Sequence, residues 1–345
     1  MSEMKNRFTG RWVFVVLCLA TLSWQASRAA DPSAQDDSQA LARHFQKPES
    51  GEPPMWGDPA TFAPRKGETI TLMGGSTVFE MQYEGYFETR LHRQFPELGL
   101  KVRDIAWQSD TVFRQQRPMF FFTEQGDTRE GSVPDGRERL EPGILMPRFG
   151  KMESLDGEAG RAEFLAAYGR LLDALSQYSK RIVLVAPEPF FAVGPAADLA
   201  GDRNAVLETY VTGIRDLASE RGYLFADLFH RLQAEPAELM SVTGVDLTNE
   251  GQQRVAMALA DELNLDPAPE TDTALDEAIR ERVLKKNLLW HQYYRPTNWA
   301  FLYGDRQHVP SSRDYRDTDR RWFVEELDRL PGMIGDVEKE IAALR

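Results

Sequence analysis

Between residues 68 and 265 the chain repeats one pattern, a short apolar run followed by a longer amphipathic stretch, and this constrains its fold more than any other feature. Strands buried on both faces read as continuous apolar runs, and the connections between parallel strands are usually helices. The candidate strands are Thr69–Met73, Leu100–Ala106, Gly143–Phe149, Arg181–Ala186 and Tyr223–Asp227. Between them, Phe164, Leu165, Tyr168, Leu171, Leu172 and Leu175 form one stripe of helical period, and Val206, Leu207, Tyr210, Val211, Ile214 and Leu217 form a second. A third helix, Glu250–Leu263, follows Thr248, whose hydroxyl can accept a backbone N–H at the helix start. Five strands suit one parallel sheet with helices on both faces, a three-layer α/β/α domain over 68–265.

The flanks differ in texture. Lys5, Arg7 and Arg11 precede an apolar run, Trp12 to Leu22, and Ala26-Ser27-Arg28-Ala29-Ala30 then supplies small residues. This reads as a secretory signal peptide, residues 1–29, cut after Ala29. The run is too short for a bilayer span, which needs roughly 20 residues, so the mature chain is expected to hold no stable membrane span and to be exported to the periplasm, cell envelope or medium. The single cysteine, Cys18, lies in that run behind Leu17, where a lipidation site would want a small residue. Cleavage leaves no cysteine, hence neither disulfides nor thiolate metal sites. Residues 30–67, rich in Asp, Ser, Gln, Pro and Gly, read as a flexible, exposed leader.

After Asp266-Pro267-Ala268-Pro269 the chain becomes charged and helix-prone, over 274–287 and 320–345, around Trp290, Tyr293, Tyr294, Trp299, Phe301 and Tyr303. Residues 266–345 read as a helical extension. Its last stretch carries Leu327, Leu330, Ile334, Val337, Ile341 and Leu344 for packing on a neighbour, with a break or kink expected at Pro331-Gly332. The formal net charge of -13 argues against nucleic acid as a partner, because phosphate binding needs clustered cations. Oligomeric state is not encoded in any motif.

In an open parallel sheet the loops leaving the carboxyl ends of the strands converge on one edge, where a site is expected. Those loops are Gly74-Gly75-Ser76-Thr77, Trp107-Gln108-Ser109-Asp110-Thr111, Gly150-Lys151-Met152-Glu153-Ser154 and Thr243-Gly244-Val245-Asp246-Leu247-Thr248. Their order and contexts resemble the SGNH (GDSL) hydrolase family, whose fold is flavodoxin-like. In that family Gly-Asp-Ser follows strand one, a glycine follows strand two, Gly-x-Asn-Asp follows strand three and Asp-x-x-His precedes the last helix. A planctomycete-type exported subgroup is more similar still, through residues 110–118, Phe149-Gly150-Lys151-Met152-Glu153-Ser154 and Tyr294-Arg295-Pro296-Thr297-Asn298, and it also carries a helical tail.

The resemblance implies an ester hydrolase with a serine nucleophile, a histidine base oriented by an aspartate, and an oxyanion hole. Alignment on the preceding glycine puts the nucleophile at Ser76; alignment on the downstream Glu80 puts it at Thr77. Either hydroxyl could equally serve as a turn or helix-cap residue. The oxyanion and binding positions fall on Gly75, Ser109, Asp110, Gly150, Met152 and Glu153. Ser109 stands where the family has glycine, and Met152 stands where it has the donor asparagine; loss of one such donor typically costs roughly 100- to 1000-fold. Lys151 could supply a cation there, although lysines are ordinarily solvated. The aspartate and histidine positions hold Thr243 and Asp246, so the base becomes a carboxylate with a reference pKa of about 3.9.

His44, His92, His230, His291 and His308 all lie elsewhere, with only the last two placed to fold back over the strand ends. Asp110, Glu153 and Asp246 could form a hard-cation site, but acids so placed more often bind backbone amides or water, so no cofactor and no metal are expected. The sequence thus points to an exported SGNH-type protein with degenerate catalytic blocks, weakly active or inactive, binding an ester- or carbohydrate-like ligand. Its alternatives are an active esterase with rearranged residues (Ser76 or Thr77 with Asp246 or a tail histidine) and an envelope assembly module acting through the tail helices.

Overall fold

The computed structural model describes residues 45–58, 61–115, 140–141, 143–265, 273–294, 296, 301, 306, 308–310 and 313–344, all within one compact unit, Asp37–Arg345. The signal segment, Cys18, His44, the 116–118 part of the 110–118 stretch, the 266–269 linker, Arg295, Thr297, Asn298, Trp299 and Tyr303 lie outside the described residues.

The strands are β1 (Thr69–Gly74), β2 (Lys101–Asp104), β3 (Ile144–Arg148), β4 (Val183–Val185) and β5 (Leu224–Ala226), each within its expected run or one residue beyond it. After β1 come three short helices, α1 (Ser76–Phe79), α2 (Met81–Glu84) and α3 (Tyr86–Gln94). The crossovers are α4 (Arg161–Ser176) and α5 (Ala200–Arg221). Two short helices, α6 (Leu228–Leu232) and α7 (Ala237–Met240), then lead to α8 (Asn249–Glu262), which Thr248 caps by accepting the Gly251 N–H at 2.9 Å. The extension forms α9 (Thr273–Tyr294) and α10 (Val324–Ala343).

All pairings within the sheet are parallel, in the order β2-β1-β3 and β4-β5, and the two parts meet at a single bridge between Leu145 and Ile182. The combined order, 2-1-3-4-5, is flavodoxin-like. Pro147 explains why the β3–β4 seam is so thin. Backbone N–H groups alternate sides along a strand; that of Leu145 faces β4 and donates to Arg181 O at 3.0 Å. The next donor on that side belongs to residue 147, and proline has none.

The two faces of the sheet carry separate cores. Met73, Leu145 and Leu184 pack with Phe164, Tyr168, Leu171, Leu207, Tyr210 and Ile214 of α4 and α5. Ile70, Leu72, Ile144, Met146, Val183 and Val185 pack on the other side with Leu91 of α3 and Val255 and Leu259 of α8.

Two expectations need correction. The described part of the leader is largely exposed but anchored by its aromatics: Phe45 is buried and pairs with Leu140, Phe62 is buried, and the Trp56 indole donates to Ile182 O at 3.3 Å beneath the Arg181 guanidinium. Helix α10 runs through Pro331 without a break. Its apolar stripe packs on a neighbouring helix: Leu327, Leu330, Ile334, Val337 and Ile341 are buried within the chain, chiefly against α9.

Helix α9 also closes one edge of the sheet. The edge strand β2 turns the carbonyls of Val102 and Asp104 outward; Lys286 Nζ donates to the first at 2.9 Å and Trp290 Nε1 to the second at 2.8 Å. Residues i and i+2 on a strand are about 6.6 Å apart and i and i+4 on a helix about 6 Å, so the two rows match. Lys286 also pairs with buried Glu88 of α3 at 2.8 Å. Burial pushes Glu88 up, but the Lys286 ammonium and His92 outweigh it and hold the carboxyl below its ordinary value.

Candidate functional site

The end of β1 is set against the end of β3 by Gly74. Its φ is +157°, and a Cβ there would lie 2.6 Å from both Arg148 O and Val78 Cγ2, so only glycine fits. The tight approach delivers Gly75, Ser76 and Thr77 to the carboxyl edge of the sheet. The Thr77 carbonyl is held from the other side by Gln252 Nε2 of α8 at 3.2 Å.

There a recess forms, lined by Gly75, Ser76, Thr77, Asp110, Arg148, Phe149, Gly150, Lys151, Met152, Glu153, Pro187, Val245 and Asp246. Eight of the nine candidate residues named above thus surround one space. The ninth, Ser109, is exposed and not among them; it adopts a left-handed φ of 65°, at a cost of about 1 kcal/mol for a non-glycine residue.

Several candidate groups are already engaged in holding loops. Buried Glu153 accepts the Val112 N–H at 2.8 Å and the Gly150 N–H at 2.9 Å, which makes it a clamp between the loops after β2 and β3. Burial raises its pKa despite those two bonds. Gly150 therefore has its N–H committed. Met152 is 48% exposed, and its side chain offers no donor. Thr243, in the family's aspartate position, accepts the N–H groups of Val245 and Asp246 at 3.2 and 3.1 Å and so shapes the loop that presents Asp246. Gly244 (φ +85°) lies in the same loop, where a Cβ would meet Phe191 O at 2.6 Å. Asp110, Glu153 and Asp246 form no metal-binding group: among the described residues no cluster of three or more His, Cys, Asp or Glu is placed to hold an ion.

Of the two cations here, Arg148 is absent from the sequence-based candidates and Lys151 was expected to be solvated. Lys151 is buried rather than solvated; its Nζ donates to Glu188 Oε1 at 3.0 Å and to Val245 O at 2.9 Å, tying the β3, β4 and Asp246 loops together. Glu188 is fully buried; burial pushes its pKa up, but Lys151 and Arg148 outweigh that and hold it below its ordinary value. Arg148, at the end of β3, is 5% exposed and donates from Nη2 to Thr77 Oγ1 at 3.0 Å, while its Nε lies 3.8 Å from Glu188 Oε2, beyond hydrogen-bond reach. Glu80, four residues beyond Ser76 and bonded through its N–H to Ser76 O at 3.0 Å, has a raised pKa through burial and the nearby charges of Asp246 and Glu188, opposed by Arg148.

Among the described residues no histidine lines the recess. His92 pairs with Glu88 on α3, and His230 with Asp227 after β5. His291 of α9 packs edge-on against Phe79, 5.8 Å between centroids. Among the described residues no imidazole or carboxylate is hydrogen-bonded to Ser76 Oγ or Thr77 Oγ1. A proton on either hydroxyl thus has no acceptor in direct contact, whereas a ligand oxygen has a donor available to it.

The molecule is therefore a three-layer parallel α/β protein with a hydroxyl-bearing recess at the carboxyl edge of its sheet. No family model and no curated protein matches the chain. Among solved structures it is similar to Axe2, an acetylxylan esterase from Geobacillus stearothermophilus, at 17% identity and a TM-score of 0.45, over 61% of this chain and 100% of that one. It is likewise similar to a protein described as a GDSL-like lipase from Parabacteroides merdae, at 16% identity and a TM-score of 0.46, over 60% of this chain and 100% of that one.

Proposed function

We propose that this chain is an exported SGNH-type protein whose esterase-like recess binds an ester- or carbohydrate-like small molecule and turns it over weakly or not at all. One observation carries the reading: Ser76 and Thr77 line a recess with Arg148 and Asp246 beside them, and no imidazole among the described residues lines it. Acyl transfer by a hydroxyl needs a base within about 3.2 Å, directly or through one water, to take its proton. Here the group in contact with Thr77 is a guanidinium, which donates and cannot accept.

Export rests on the amino-terminal segment. No helix among the described residues is long and apolar enough to cross a membrane. The assembly-module alternative is less favoured, because the apolar stripe of α10 is covered by its own chain.

The experiment is incubation of the mature protein with short-chain p-nitrophenyl esters and acetylated sugars, beside Ser76→Ala. Equal rates near the buffer value support the reading. Turnover well above buffer that Ser76→Ala abolishes favours a working hydrolase.

A further inference from the structure

A threonine hydroxyl has one proton and two acceptor lone pairs. In this recess one lone pair of Thr77 Oγ1 takes the Arg148 Nη2–H at 3.0 Å. The proton of that hydroxyl donates to no described group, and Thr77 lines the recess. Arg148 is only partly neutralised: its nearest carboxylate, Glu188, is 3.8 Å from Nε and hydrogen-bonds to Lys151 instead. The guanidinium is thus a buried positive charge behind the hydroxyl, and in a low-dielectric setting it polarises the O–H and makes it a stronger donor. At the same edge, the side chain that would donate to an acyl oxygen is absent at Met152, and the Gly150 N–H is bonded to Glu153.

Resting on the reading of this recess as an ester- or carbohydrate-type site, the geometry points to Thr77 as its ligand-binding donor and Arg148 as the residue that positions and polarises it, together taking the carbonyl oxygen of an acyl group. Thr77 is then a donor and not a nucleophile, and Ser76 is the hydroxyl left beside the acyl carbon. The ligand class is narrowed to molecules carrying an ester carbonyl, such as acetylated polyols and sugars, over their unacylated counterparts. Glycerol triacetate is a water-soluble probe of that class, and glycerol is its acyl-free control.

The test is ligand-observed saturation-transfer NMR on the full mature chain, titrated with glycerol triacetate and with glycerol. Transfer to the acetyl methyls, with none to glycerol, is expected. Thr77→Val, isosteric but without the hydroxyl, should weaken triacetate binding about tenfold, the scale of one charge-supported hydrogen bond. Thr77→Ser should restore it to within about twofold. Arg148→Met should weaken binding in the parent but add nothing in a Thr77→Val background, which a merely structural arginine would not do. If Arg148→Met fails to give a cooperative thermal melt, the Val–Ser comparison at residue 77 decides the matter. Absence of triacetate binding to the parent overturns both the recess reading and this inference. Binding that survives Thr77→Val unchanged overturns the inference alone.

Discussion

Arg148 Nη2 and Thr77 Oγ1 lie 3.0 Å apart across the ends of two adjacent strands, and Gly74 is what lets them meet. Gly74→Ala should therefore cost more than an ordinary turn substitution, because its Cβ would meet backbone at Arg148 O as well as Val78. A loss of about 2–4 kcal/mol is expected, the scale of overpacking plus left-handed strain, measured by urea denaturation. A neutral Gly74→Ala would show that the ends of β1 and β3 are not held as described.

Lys151 and Glu188 form a buried pair that ties three site loops together. Lys151→Met removes the cation and leaves Glu188 without its closest charge partner. Breaking one half of a buried pair costs about 3–5 kcal/mol. The double variant Lys151→Met/Glu188→Gln should recover part of that loss, and chemical denaturation of the three variants checks the order.

Helix α9 replaces a sixth strand by donating to the outer carbonyls of β2. Trp290→Phe keeps an aromatic ring but loses one hydrogen bond and part of the buried indole, for about 1–3 kcal/mol. Lys286→Met strands buried Glu88 and should cost about 3–5 kcal/mol. Truncation after residue 265 should leave the β2 edge open and produce concentration-dependent association. Light scattering distinguishes this from a truncated chain that stays monomeric.

Stability should pass through a maximum on acidification. Glu80 and Glu153 are raised above 4.5 by burial, so each is destabilising while ionised at neutral pH, and that cost is relieved as pH falls toward 4.5. Glu88 and Glu188 are held below 4.5, so their stabilisation persists above that value and is lost as pH falls through their folded pKa values. The melting temperature should rise from pH 7 toward 4.5 and drop below it. Glu80→Gln should flatten the rising limb, and a monotonic fall from pH 7 downward would refute this assignment.

Hydrophobic period placed β1 to β5 and the Thr248 cap, because those signals are local in sequence. Eight of the nine positions that the family resemblance singled out line one recess. Arg148 was hidden inside an apolar strand run, where the only cue was a charge between Pro147 and Phe149. Glu188 sat between two prolines just past β4, with nothing to show that burial would pair it with Lys151. The contacts of Lys286 and Trp290 with β2 were equally illegible, since they depend on where a distant helix docks. Ser109 shows the reverse limit: the residue type disfavours left-handed backbone, and the loop imposes it anyway.

The central claim is that the recess retains its hydroxyls without a proton acceptor in contact with them. Steady-state hydrolysis of p-nitrophenyl acetate by the mature chain and by Ser76→Ala tests it most directly. Rates that match each other and lie near the buffer blank are predicted. A parent rate far above the blank that disappears in Ser76→Ala would contradict the account.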